Sequence, residues 1–188
     1  MKKHVLMIHE VGEWLFDLPL QSYILTFDDG LYTQYLYFER ITKIDTDKFF
    51  FISTKIVADT TTTQSPEYIT CDKAHEKYRL SGDRSHYMNW EQIKEIEMTP
   101  RCIIGGHSHE HMRTPTSAQL VRDTNKMIEQ FNIHDIKPTS FCFPYNKEHN
   151  MYRAMLQAKG FNEFYGEERI DINEIRYKKA SRTDKNNA

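Results

Sequence analysis

The feature that most constrains this chain is a recurrence. Short apolar runs rich in β-branched and aromatic residues alternate with helix-spaced segments, and four of the runs end in a polar cluster. Val5–Ile8 ends in His9-Glu10, and Tyr23–Phe27 in Asp28-Asp29-Gly30. Cys102–Ile104, followed by Gly105-Gly106, leads into His107-Ser108-His109-Glu110-His111, and Thr139–Phe143 into Pro144-Tyr145-Asn146. Phe49–Ser53 is a fifth strand-like run, while Trp90–Glu97, Ser117–Phe131 and Met151–Lys159 carry helical spacing. Parallel strands need a crossover between neighbours, so this alternation predicts an α/β fold with largely parallel strands. Chemistry in such folds sits at the carboxyl ends of the strands, and all four clusters are expected on that one rim.

In Ser117–Phe131 the residues Leu120, Val121, Met127, Ile128 and Phe131 fall on or near one stripe, with Thr116 or Ser117 as a cap. Gly160 supplies the stop of the last helix. Residues 59–66 read as an exposed loop. The polar tract Asp72–Asn89 has room for a short helix, but its low apolar content predicts a peripheral one. Lys178 and Lys179 read as a solvated face, and 181–188 as a flexible tail beyond a single domain spanning 1–180.

Composition closes off other classes. At 188 residues, 39% apolar and 28% charged, the chain has room for one sizeable core. Its 25 basic and 27 acidic residues leave no field for holding nucleic acid or an anionic membrane. Three scattered cysteines, with no CxxC pair, predict neither a disulfide framework nor a thiolate zinc knuckle. The apolar stretch Val5–Ile8 is cut short by His9, which argues against a signal peptide, and no run reaches membrane-spanning length. The expectation is a reduced, cytoplasmic protein, and nothing in the sequence sets its oligomeric state.

Taken alone, Asp28-Asp29-Gly30 is a turn. At a strand end, however, a glycine lets the backbone bend so that both carboxylates enter one cleft. His107 and His111, spaced i,i+4, stack on one face if Ser108–Met112 forms a helical turn, which suits two imidazoles on one divalent ion. His109 then points roughly 200° away from His107 at about 100° per residue. Arg113 stands where an HExxH motif needs histidine, and Ser108 where the deaminase H-x-E needs it. Two histidines and an aspartate leave open metal positions, a hydrolytic set on zinc and an oxygenase set on ferrous iron. The second carboxylate favours hydrolysis, because Asp28 can serve as base beside a metal water.

These residues resemble the polysaccharide deacetylases of carbohydrate esterase family four. Leu25-Thr26-Phe27-Asp28-Asp29-Gly30 is similar to the family's first motif and His107-Ser108-His109-Glu110-His111 to its second. Phe141-Cys142-Phe143-Pro144-Tyr145-Asn146 is similar to the third in its proline-aromatic core. Asn89–Ile93 and Met155–Phe161 also sit where the family has such segments, and the likeness covers roughly 5–165. It implies a distorted, incomplete (β/α) barrel that removes N-acyl groups, usually acetyl, from sugars with a metal-bound water as nucleophile. The implied roles are Asp28 as base, Asp29, His107 and His111 as metal ligands, and the Tyr145 amide as an oxyanion donor. Zinc is the expected metal, with Co2+, Ni2+ or Fe2+ admissible, and the expected partner is an N-acylated saccharide or surface-glycan precursor made inside the cell.

Two departures matter. The third-motif arginine that buttresses the base in many members is replaced here by the Phe141-Cys142 region, and nothing after Gly160 resembles the late motif carrying the general-acid histidine. Val5-Leu6-Met7-Ile8-His9-Glu10 is similar to the opening of a permuted branch, the poly-N-acetylglucosamine deacetylases, which makes His9 the candidate acid. The alternatives are an amidase for a small non-sugar amide and a catalytically silent carbohydrate-binding protein of the same fold.

Overall fold

The structure, a computed structural model, describes residues 3–148 and 150–176, so Lys178, Lys179 and the expected tail lie outside it. Seven parallel strands form one sheet: β1 (His4–Ile8), β2 (Tyr23–Phe27), β3 (Lys48–Ile52), β4 (Cys102–Gly106), β5 (Ser140–Cys142), β6 (Glu163–Tyr165) and β7 (Ile170–Asp171), in the order β6-β5-β4-β3-β2-β1-β7. The helices are α1 (Tyr32–Leu36), α2 (Phe38–Thr42), α3 (Cys71–Ser81), α4 (Trp90–Glu97), α5 (Ser117–Ile133) and α6 (Asn150–Ala158). All five expected strands form, within one or two residues at their ends. β6 and β7, three and two residues long, are too short to show a period in sequence.

Side-chain alternation along the strands sorts the core into two faces. Leu6, Ile8, Leu25, Phe27, Phe50, Ile52, Ile104 and Phe141 join the large cluster that includes the helix residues Ile93, Ile96, Leu120, Met127, Phe131 and Leu156. The intervening residues Phe49, Phe51, Cys142 and Tyr165 form a separate cluster, with Val5 and Ile24 against it. β3 and β6 are three places apart, roughly 14 Å in a flat sheet. Yet the Phe49 and Phe51 rings lie 5.0 and 5.2 Å from that of Tyr165. The sheet therefore curls around the smaller cluster into an open, incomplete barrel.

Gly105 in β4 makes room inside it, since a Cβ there would meet Phe51 ring atoms at 2.4 and 2.5 Å and Ser140 Oγ at 2.6 Å. Gly105→Ala is accordingly expected to destabilise the fold by about 1–3 kcal/mol through overpacking. Chemical denaturation checks this, and an unchanged midpoint would mean the barrel interior is looser than the ring contacts indicate.

The helices follow their sequence signals, with two corrections. Capping boxes start α4 (Asn89 with Gln92) and α5 (Thr116 with Gln119). α5 buries Leu120, Met127 and Phe131 as expected, but Val121 is exposed, since it sits one residue round the helix from the Leu120 stripe. The tract expected to be peripheral supplies α3, whose face of Cys71, Ala74 and Tyr78 packs with Leu31, Ile56, Ile69 and Tyr87. Low overall apolarity hid that face because Cys71, His75 and Tyr78, at helical spacing, do the work of larger aliphatics. Cys71, Cys102 and Cys142 are all free thiols. Among the described residues no helix is long and apolar enough to cross a membrane.

Candidate active site

The strand ends converge on one rim. β1 and β2 pair in register up to Ile8 and Phe27, which places His9 beside Asp28. Gln34 in α1 ties these two ends together, donating from Nε2 to the carbonyls of His9 at 2.8 Å and Asp28 at 2.6 Å. The chain then bends sharply: Asp29 has φ 70° and Gly30 φ 76°. This turn lets adjacent carboxylates, which a straight strand would send to opposite faces, share one cleft. The left-handed backbone at Asp29 is unusual for a residue with a side chain and costs about 1 kcal/mol or more.

His107 and His111 also converge, but not through a helical turn. Ser108 and His111 both have positive φ, 66° and 50°, and 107–112 is irregular. The loop is pinned from outside. Asp123 of α5 accepts from the amides of His109 and Glu110 at 2.8 and 2.7 Å, and Ser108 Oγ accepts from the amide of His111 at 2.9 Å. The helical expectation fails because the left-handed backbone at Ser108 and His111 cannot continue a helix, and Asp123 and Ser108 hold the intervening amides in that loop. His109 points away as expected, with Nδ1 at 2.9 Å from Thr54 Oγ1.

Asp29 Oδ1 lies 3.6 Å from His107 Nε2 and 3.3 Å from His111 Nε2, and the two imidazole nitrogens are 3.2 Å apart. Ligand atoms at zinc bond lengths around a tetrahedron are separated by about 3.3 Å. Asp29 Oδ1 is buried with no hydrogen-bond partner, and His107 Nδ1, 2.8 Å from the Cys142 carbonyl, fixes the tautomer that turns an Nε2 lone pair toward it. Burial pushes the His111 imidazole down to about 4, so it is neutral near pH 7, as a ligand must be. Burial alone would raise the Asp29 carboxyl, but His111, His75 and His107 around it outweigh that and hold it well below the carboxylate range. The donor set fits a divalent cation. Two other groupings are also close enough for an ion, His9–Asp29–Cys71 and Asp28–His107–Cys142. In each of these a ligand group is already engaged, Cys71 Sγ with Asp29 Oδ2 at 3.0 Å and Asp28 Oδ1 with Arg169 at 2.8 Å, whereas Asp29 Oδ1 in the Asp29–His107–His111 trio has no hydrogen bond.

Asp28 faces a different set of partners. Arg169 Nη1 donates to its Oδ1 at 2.8 Å, Cys142 Sγ lies 3.6 Å from Oδ2, and His9 Nε2 is 3.9 Å from Oδ2. Arg169, which immediately precedes β7, also donates to Thr26 Oγ1 at 3.0 Å and Asn146 Oδ1 at 2.6 Å. Burial alone would raise the Asp28 carboxyl, and the Arg169 guanidinium overrides it and keeps it ionised below the ordinary range. His9 is about one-third exposed, so it faces both Asp28 and solvent.

Tyr145 follows β5 in a tight turn where it and Asn146 both have positive φ, 58° and 56°. Its ring packs 4.7 Å from that of His111, with the Arg113 guanidinium 5.0 Å from its centroid. All six residues singled out in the sequence, His9, Asp28, Asp29, His107, His111 and Tyr145, thus lie around one rim. Sequence reading missed Arg169, which sits in the charged run Glu167-Glu168-Arg169 with no local sign of burial. It also missed Cys71 and His75, whose only signal is their helical spacing.

The family described as polysaccharide deacetylase matches residues 17–164. Among solved structures, IcaB from Ammonifex degensii aligns with TM-score 0.63 at 18% identity, covering 90% of this chain and 85% of that one. A de-N-acetylase from Aggregatibacter actinomycetemcomitans aligns with TM-score 0.62 at 15% identity, over 90% and 93% of the two chains. The BpsB deacetylase domain from Bordetella bronchiseptica gives TM-score 0.62 at 15% identity, over 88% of each. Proteins of curated function give no match in sequence.

Proposed function

The chain belongs to the polysaccharide deacetylase family, and from that premise we propose that it is a metal-dependent hydrolase removing an N-acyl group, most simply acetyl, from a sugar or surface-glycan precursor. The observation that carries this reading is the buried, unpartnered Asp29 Oδ1 facing two imidazole nitrogens, with a second carboxylate, Asp28, adjacent in the chain and committed to other partners.

When bound, a divalent ion, zinc before cobalt, nickel or ferrous iron, would polarise the amide carbonyl and acidify a water. The chain's own residues supply the rest. Asp28 takes the proton of the attacking water, and its pairing with Arg169 keeps the carboxylate ionised and aimed. The Tyr145 amide donates to the oxygen on which negative charge develops. His9, within 3.9 Å of the base and open to solvent on one side, gives a proton to the departing amine. A silent binding protein would suit a chain whose base lacks the third-motif arginine, but Arg169 pairs with Asp28 from another part of the chain, which supports the catalytic reading.

The test is release of free amine from N-acetylglucosamine oligomers by zinc-loaded protein, with metal content measured alongside. No metal and no amine would leave a carbohydrate-binding role, whereas turnover of small acyl amides alone would mark a non-sugar amidase. His9→Ala is expected to slow an unactivated amide about 10²-fold and an ester with a good leaving group much less, because only the amine needs protonation. Equal losses on both substrates would remove His9 from the acid role.

A further inference from the structure

α3 brings two side chains one turn apart, Cys71 and His75, against the same oxygen of Asp29. Cys71 Sγ donates to Oδ2 at 3.0 Å, and His75 Nε2 lies 3.3 Å from Oδ2. The other oxygen, Oδ1, is the one facing His107 and His111. Resting on the metal reading above, we infer that Cys71 and His75 are positioning residues that hold the outer oxygen of Asp29, so that it ligates the metal through Oδ1 alone.

A carboxylate only accepts, so Cys71 Sγ presents its hydrogen to Oδ2, and His75 Nε2 stands beside the same oxygen at ion-pair distance. That nitrogen is buried with no hydrogen bond of its own, while His75 Nδ1 lies 3.3 Å from Tyr87 Oη. Tyr87 is fully buried, so its hydroxyl is itself held in place. The His75 ring also lies nearly parallel to that of His111, at 17° with centroids 5.2 Å apart, and so packs against a second ligand. The helix is anchored at both levels: the Cys71 amide donates to Glu10 Oε2 at 3.2 Å, and Ala74 is buried against Leu31, Ile56 and Ile69. The three ligands are then each oriented by a separate partner, His107 by the Cys142 carbonyl, His111 by Ser108 through its backbone, and Asp29 by α3. For Asp29 the clamp also offsets the strain of its left-handed backbone.

A free carboxylate can swing to chelate an ion with both oxygens, which fills a position that water or substrate needs. Holding Oδ2 from outside keeps that position open. The loss of such outer partners typically weakens metal binding about 10- to 100-fold.

The experiment uses the full chain with four single variants: Cys71→Ala and His75→Leu, which remove the polar group beside Oδ2, and Cys71→Ser and His75→Gln, which keep one. Zinc is titrated against a competing chelator, and cobalt is bound for its visible absorption, which is strong in four-coordinate sites and falls as coordination number rises. The wild type should take up one ion per chain. Cys71→Ala and His75→Leu should each weaken zinc about 10- to 100-fold and lower the cobalt absorption, while Cys71→Ser and His75→Gln retain most of both. Wild-type affinity and spectrum in Cys71→Ala and His75→Leu would overturn the inference, as would equal losses in the conservative pair, which would mean packing alone. Two ions per chain, one of them lost in Cys71→Ala, would also overturn it, making Cys71 a ligand with His9 across a shared Asp29. A wild type that takes up no zinc would sink the metal reading itself, a result distinct from unchanged variants of a protein that binds it. Should His75→Leu fail to fold, the Cys71 pair decides alone.

Discussion

Asp28→Asn is expected to lower amide turnover about 10³- to 10⁴-fold while zinc content stays near that of the wild type. The substitution keeps the shape of the side chain and its acceptor toward Arg169, but an amide cannot take a proton from water. Arg169 retains Thr26 and Asn146 as further acceptors, so the variant should fold, though less stably. His107→Ala provides the contrast. It removes one of three candidate ligands and should lose zinc and turnover together, and added zinc at high concentration should restore activity only in part. Metal content and amine release measured on both variants test the division of labour between neighbouring carboxylates. Parallel loss of zinc in the two would instead favour the Asp28–His107–Cys142 grouping as the metal site and leave the reaction without its base.

The rim was legible in sequence because each of its segments follows a strand directly. His9, Asp28, Asp29, His107 and Tyr145 stand one to three residues beyond a strand-like run, and parallel pairing brings such positions together whatever the details of the barrel. What local pattern could not show is anything delivered from the far side of the sheet. Arg169 immediately precedes β7, the strand next to β1, and reaches to Thr26, Asp28 and Asn146, a contact set by curvature rather than spacing. His75 and Cys71 arrive on a helix whose packed face of Cys71, Ala74 and Tyr78 holds no large aliphatic residue, so apolar periodicity, the strongest sequence signal, is weak there. The His107–His111 turn shows a third limit. Spacing correctly joined the two imidazoles, but the backbone that joins them follows the acceptors Asp123 and Ser108, one of which is contributed by another element.

Arg169→Met carries the largest expected effect on stability. Asp28 and Arg169 are both almost fully buried and paired at 2.8 Å, and deleting one partner of such a pair strands the other charge in a poor dielectric, a loss of about 3–5 kcal/mol. The sign of the pH dependence distinguishes this from lost packing. In the wild type Arg169 holds the Asp28 carboxyl below its unfolded value, so the pair stabilises the fold above the ordinary carboxylate range, and that contribution is lost as pH falls through the lowered value. Without Arg169 the burial of Asp28 dominates and its carboxyl rises above the unfolded value. The metal-free variant should therefore lie furthest below wild type near neutrality and recover toward it in mild acid, where Asp28 can fold protonated. Adding Asp28→Asn to Arg169→Met removes the stranded charge and should return a large part of the loss at pH 7, although the double variant stays inactive. Denaturant midpoints of the three variants across pH measure this. A loss that is the same at every pH and unrelieved in the double variant would mean that Arg169 stabilises the barrel by filling space, and that the base owes its ionisation to some other neighbour.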